Sequence, residues 1–162
     1  MMLALLSDIQ ANLQALDACL VHARARGADQ FALLGDFVGY GADPVAVLQR
    51  VQELAGKGAW LVKGNHDEMA VYPPAQSDSL GSSTAAWTHA KLDRSQLDFL
   101  DSMPLTLEYG SMALVHASVD KHGRWHYVTD QRSAAASLNA LASPEVRHVL
   151  GRHVHHQTLY ER

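Results

Sequence analysis

Five short apolar runs recur along the chain: Met2 to Leu6, Phe31 to Leu34, Ala59 to Val62, Ser111 to Val115 and Val146 to Leu150. Each has the length and composition of a buried strand. Each is followed within a few residues by groups that can bind a ligand. The first run leads to Asp8 and Gln10, the second to Gly35-Asp36, and the third to Gly64-Asn65-His66-Asp67. The fourth leads to His116, and the fifth to His153 and His155. In open α/β sheets ligands collect beyond the carboxyl ends of the strands, where loops converge on a rigid support. Five such coincidences in order imply one composite site.

The segments between the runs carry helical patterns. Asn12 reads as the cap of a helix whose Leu13, Leu16, Leu20 and Ala23 share a face and which ends at Arg24, Arg26 and Gly27. Asp43-Pro44 reads as cap and first position of a second helix through Val47, Leu48, Val51 and Leu54, stopped at Gly56. Three more are expected over Ser83 to Lys91, Ser95 to Ser102 and Ser133 to Leu141, and Pro73 to Ser83 reads as a loop. Strands alternating with helices imply a layered α/β domain. At 162 residues and 48% hydrophobic, one domain over 1–162 is expected.

The net charge of −4 is mild and dispersed, which excludes the basic stripe of a duplex nucleic-acid binder. Met1 to Leu6 is too short and too poor in basic residues to lead the chain through a membrane, so the expected location is cytoplasmic, with no membrane partner. Cys19 is the only cysteine and reads as a buried thiol on the apolar face of the first helix.

Ten histidines are many for this length, and histidine is the commonest metal ligand. The strand-end residues offer two carboxylates, an amide oxygen and three imidazoles, with His66 beside the asparagine. Such a mixture of hard oxygen and borderline nitrogen donors suits manganese, iron or zinc better than an oxygen-only cage, with magnesium or nickel as alternatives. Two such ions about 3.5–4 Å apart form a clamp for phosphoryl displacement. His22, His89, His122, His126, His148 and His156 have no motif support, although His126 and His156 are near enough in sequence to support ligands.

The series Ser7 to Asn12, Gly35 to Gly41, Gly64 to Asp67, Leu114 to Ala117 and His153 to His155 resembles the calcineurin-like metallophosphoesterase family over nearly the whole chain. The run Tyr40 to Pro44 is similar to that of its small bacterial and archaeal members. The resemblance implies a sandwich of two mixed β-sheets flanked by helices, with two divalent metal ions at one edge and a metal-activated water attacking phosphorus. It further implies that Asp36 bridges both metals, that Asp8 and His155 hold the first, and that Asn65, His116 and His153 complete the second. His66 would be the catalytic histidine facing the phosphate.

The chain departs from the family pattern in three places. Gln10 stands where a histidine ligand is usual, and a carboxamide oxygen is the weaker donor. Arg152 stands where glycine is usual; it would be strained at a positive φ, could grip the substrate phosphate, or could be a tolerated surface residue. The sequence ends at Arg162, where relatives continue, so a C-terminally truncated form of the fold is expected. The expected substrate is a small phosphorylated molecule, nucleotides included: a phosphomonoester, a phosphodiester, a phosphoprotein serine or threonine ester, or a dinucleoside polyphosphate of the diadenosine tetraphosphate type. An impaired metal- or phosphate-binding module is the rival of another class. Trp87, Trp125 and Tyr127 read as packing residues, and Gly123 to Val128 is the segment suited to contact a nucleotide.

Replacing Gln10 with histidine should tighten binding of the first metal. Calorimetric titration of Gln10→His with manganese tests this, and an affinity equal to the parent's would place residue 10 outside the coordination sphere.

Overall fold

The computed structural model describes residues 1–76, 78–120, 125–156 and 158–161. Strands β1 (Leu3–Leu6), β2 (Gln30–Leu33) and β3 (Trp60–Leu61) form one sheet in the order β1-β2-β3, parallel throughout. The second sheet has the order β4-β5-β6, with β4 (Thr106–Tyr109) antiparallel to β5 (Met112–Val115), and β6 (His148–Leu150) parallel to β5. All five expected runs become strands. Helices α1 (Leu13–Ala25), α2 (Pro44–Gly56), α3 (Asn65–Val71), α4 (Leu80–Lys91), α5 (Arg94–Ser102) and α6 (Gln131–Asn139) fill the connections. Among the described residues no helix is long and apolar enough to cross a membrane.

The β2 run is apolar without interruption because both of its faces are covered. Phe31 and Leu33 join Leu16, Leu20, Val47, Leu48, Val51 and Leu100 in the cluster between the first sheet and its helices. Ala32 and Leu34, pointing the other way by the strand's two-residue period, pack with Val62 and Leu114 between the sheets. Leu3, Trp60, Leu107 and Leu150 close the rim of that second cluster.

Two elements differ from the sequence reading. β4 was absent from it, although Thr106-Leu107-Glu108-Tyr109 alternates polar and apolar residues before Gly110, which turns the chain with φ +57. α3 was absent from it too: Gly64 to Asp67 opens this helix, with Gly64 extended at the N-cap. Elsewhere true caps lie upstream of the expected helix starts. The Ser79, Asp93 and Asp130 side chains accept from the backbone N–H of Ser82, Gln96 and Ser133, starting α4, α5 and α6 earlier than apolar periodicity alone suggested. Asn12 caps α1 as expected, accepting from Ala15 N–H. Asp43 occupies the N-cap of α2 without making a side-chain cap bond.

Cys19 is exposed, contrary to the expectation of a buried thiol. The buried stripe of α1 is narrow, limited to Leu16 and Leu20. At about 100° per residue, Cys19 falls on its flank.

Leu114 is fully buried between the sheets, so Leu114→Ala should lower stability by about 2–5 kcal/mol. Urea denaturation measures this, and a loss below about 1 kcal/mol would contradict an inter-sheet core at this position.

Candidate metal centre

Beyond β1 and β2 the chain runs as two loops laced together by their backbones. Asp8 N–H donates to Gly35 C=O at 3.2 Å, Gln10 N–H to Asp36 C=O at 2.9 Å, and Ala11 N–H to Phe37 C=O at 2.8 Å. This lacing requires left-handed backbone at Asp8, Gln10, Ala11, Asp36 and Tyr40, all with φ between +47 and +54. Aspartate tolerates that region, whereas glutamine, alanine and tyrosine each lose on the order of 1 kcal/mol there. Such strain is retained where the surroundings dictate it, commonly at functional sites.

For the loop after β2 the Asp67 side chain supplies that dictation. Its carboxylate is fully buried, and each oxygen takes two backbone N–H groups: Oδ2 from Asp36 (2.8 Å) and Gly64 (2.9 Å), Oδ1 from Phe37 (2.8 Å) and Val38 (3.2 Å). One side chain from α3 thereby fixes the loop after β2 and the end of β3. Burial and the charge of Asp36 push its carboxyl up to about 7, against the opposing N–H groups of Gly64 and Val38. The glycines before it are steric necessities, since a Cβ on Gly64 would lie 2.2 Å from Asp36 Oδ1 and one on Gly35 (φ +87) 2.5 Å from Gly64 N.

Onto this support the sheets deliver the donors. The Asp36 carboxylate accepts from His66 N–H at 2.9 Å through Oδ1 and from Gln10 Nε2 at 3.2 Å through Oδ2. His116 follows β5 directly, and its Nδ1 lies 2.7 Å from Leu34 C=O. A carbonyl can only accept, so Nδ1 carries a proton, and Nε2 is the nitrogen turned to the centre. Around that Nε2 are Asn65 Oδ1 at 3.1 Å, His153 Nδ1 at 3.1 Å and Asp36 Oδ2 at 3.4 Å. Ligand atoms of Asp8, Asp36 and His116 all lie within 4.8 Å of one another. His155 Nε2 stands 2.9 Å from Asp8 Oδ1, and Arg152 Nε 3.9 Å from Asp8 Oδ2. All nine residues singled out from sequence are therefore linked in one constellation by these contacts.

Several ligand atoms are buried without a hydrogen bond: both oxygens of Asp8, which have only the ion-pair contacts to His155 and Arg152, Gln10 Oε1 and His66 Nδ1. Buried polar atoms are ordinarily satisfied, so four at one place mark a position built for additional groups. Burial works to raise the Asp36 carboxyl, yet the hydrogen bond and charge of His116 outweigh it and hold it below the usual range. Burial works to lower His116, but Asp36 outweighs it in turn and keeps that imidazole above its usual value. Burial depresses His66 and His153.

Arg152 has no positive φ, so the strained alternative does not apply; its side chain is half exposed and turned toward Asp8. His22, His126, His148 and His156 are exposed, and His89 lies within hydrogen-bonding distance of Ala70 C=O. His122 and the Gly123-Arg124 part of the segment reserved for nucleotide contact lie outside the described residues. Trp87 and Tyr127 are surface rings rather than core. Tyr127 stacks on His153 with centroids 4.2 Å apart, and Trp125 donates Nε1–H to Glu68 at 2.8 Å. Asp67 is the residue whose part sequence reading missed; its position at N3 of α3, where acidic groups favour a helix N-terminus, was the available signal.

A two-sheet α/β fold with oxygen and nitrogen donors converging at its strand ends has the composition of a metallohydrolase centre. The chain belongs to the calcineurin-like phosphoesterase family, whose model matches residues 1–157. It is 34% identical to an uncharacterized protein of Methanocaldococcus jannaschii over 78% of this chain and 54% of the relative. The crystal structure of a metallophosphoesterase from Sphaerobacter thermophilus is similar with a TM-score of 0.73 and 32% identity, covering 89% of this chain and 58% of that one. A hypothetical protein from Pyrococcus horikoshii shares the fold at a TM-score of 0.70 and 20% identity, over 85% of this chain and 65% of that one. The chain thus spans about half the length of the archaeal relative it matches.

Asp67→Asn would set an amide NH2 against backbone N–H donors. Loss of about 3 kcal/mol or more is expected in chemical denaturation, as for other buried charged hydrogen-bond networks. A variant as stable as the parent would show that the four N–H contacts carry little weight.

Proposed function

We propose that this chain is a metal-dependent phosphoesterase, hydrolysing a phosphate ester or anhydride of a small substrate at a centre for two divalent cations. The observation that carries this reading is the convergence of Asp8, Asp36 and His116 ligand atoms within 4.8 Å, beside buried Asp8 oxygens that make no hydrogen bond and face the His155 imidazole and the Arg152 guanidinium. The donor set fits such ions: anionic oxygen from two aspartates, amide oxygen, and imidazole nitrogen whose tautomer is fixed from behind by Leu34 C=O.

In this reading Asp36 would serve both cations. Asp8, Gln10 and His155 would help to hold one, and Asn65, His116 and His153 the other. The bound cations would supply Lewis acidity toward phosphate oxygens and a nucleophilic water at neutral pH. The remaining work belongs to side chains. His66 is held through its backbone N–H by Asp36, and its ring, whose buried Nδ1 makes no hydrogen bond, is the group to serve the substrate. Burial favours the neutral imidazole, and an anionic phosphate beside it would favour the protonated form, which can give its proton to the leaving oxygen. Arg152, half exposed beside Asp8, can offer its guanidinium to a non-reacting phosphate oxygen.

Manganese-reconstituted protein should cleave p-nitrophenyl phosphate and lose that activity on chelation. Asp36→Asn and His66→Ala should each reduce kcat by about 100-fold or more. Parent-like turnover in both variants would overturn these roles, and phosphate binding without turnover under any metal would make the chain a binding module instead.

A further inference from the structure

A cavity of about 540 Å³ opens beside Asp8, between the loop after β1, the start of α1 and the turn from Tyr40 to Asp43. Its floor is apolar, formed in part by the buried Ile9 and Leu16. A phosphate with a small alkyl group would leave most of that space unfilled; cavities of about 300–1,000 Å³ suit larger organic ligands.

Two polar features of this cavity are unexplained by folding. Tyr40 is held at φ +47 by its glycine neighbours, with Gly41 N–H donating to Gln10 C=O at 3.1 Å. A Cβ on Gly41 would lie 2.2 Å from that same carbonyl oxygen, and one on Gly39 would lie 2.9 Å from His66 Nδ1. The strained turn nevertheless presents the ring half exposed, its centroid 4.5 Å from that of His66. A tyrosine kept in left-handed backbone at the mouth of a site is a retained cost. Asp43, a few residues on, sits at the N-cap of α2 but makes no cap bond, and its carboxylate has no hydrogen-bond or ion-pair partner among the described residues. It lines the cavity as a free acceptor.

From this juxtaposition we propose that the cavity is the subsite for the nucleoside part of a nucleoside phosphate, with Asp43 accepting from the ribose hydroxyls and the Tyr40 ring lying against the base. The proposal rests on the phosphoesterase reading for its reaction, but not for its binding surface. An aromatic face is a sequence-tolerant platform for bases, and a carboxylate is the natural acceptor for a sugar diol. The apolar floor receives the rest of the heterocycle.

Cys19, the only cysteine, is exposed and lines the same cavity, giving a readout that needs no turnover. The test measures the rate at which a chromogenic disulfide reagent labels Cys19 in the full, manganese-loaded chain, with adenosine or 2′,3′-dideoxyadenosine titrated in. Adenosine should slow labelling several-fold at saturation and bind at least five-fold more tightly than the dideoxynucleoside. In Asp43→Asn that preference should vanish; a merely structural loss would weaken both nucleosides alike and leave their ratio intact. Absence of protection by adenosine, or a preference unchanged in Asp43→Asn, overturns the proposal. Turnover of p-nitrophenyl phosphate by the parent is scored separately. Hydrolysis without nucleoside protection rejects the subsite alone, and protection without hydrolysis rejects the reaction alone.

Discussion

The arrangement of the centre depends on one buried carboxylate. Asp67 collects four backbone N–H groups from two separate strand ends, and through them it sets the path of the residues that carry Asp36 and Asn65. A buried hydrogen-bond network is rigid when every member is satisfied. Because the donors lie on the segments after β2 and β3, the constellation cannot assemble until those strands have paired. Formation of the site and of the first sheet are thereby one cooperative event.

The second sheet contributes His116 after β5 and His153 and His155 after β6. His116 reaches across from β5 to Leu34, the last residue of the β2 apolar run, so the imidazole both bridges the sheets and turns its other nitrogen to the centre. The inter-sheet core of Ala32, Leu34, Val62 and Leu114 sets the separation at which that reach works. Packing and chemistry are joined here, since a change in sheet spacing would move His116 relative to Asp36.

Much of this was legible in the residues. The five runs became strands because uninterrupted apolar segments have few alternatives to double-sided burial, and the ligand-type residues follow them because strand ends are where backbone stops being consumed by ladders. Helix faces were legible from periodicity, but helix starts were not, because Ser79, Asp93 and Asp130 are polar residues whose capping role is indistinguishable from loop chemistry until the first turn forms. β4 escaped because four residues, two of them exposed, carry a weak alternation. Cys19 was misplaced because a helical wheel does not say how wide the neighbouring sheet is. Asp67 escaped for a deeper reason: its part is to bind backbone, and backbone N–H groups leave no mark in a sequence.

The left-handed residues have a consequence for how such a domain can change. Gln10 and Ala11 sit where glycine would be more comfortable, so relaxing the loop by mutation is an easy route to a hardier protein. The same relaxation would let the loop sample other shapes and scatter the donors it presents. A lineage selected only for endurance would drift toward glycine at these positions; alanine and glutamine there are what selection for a fixed donor geometry would maintain.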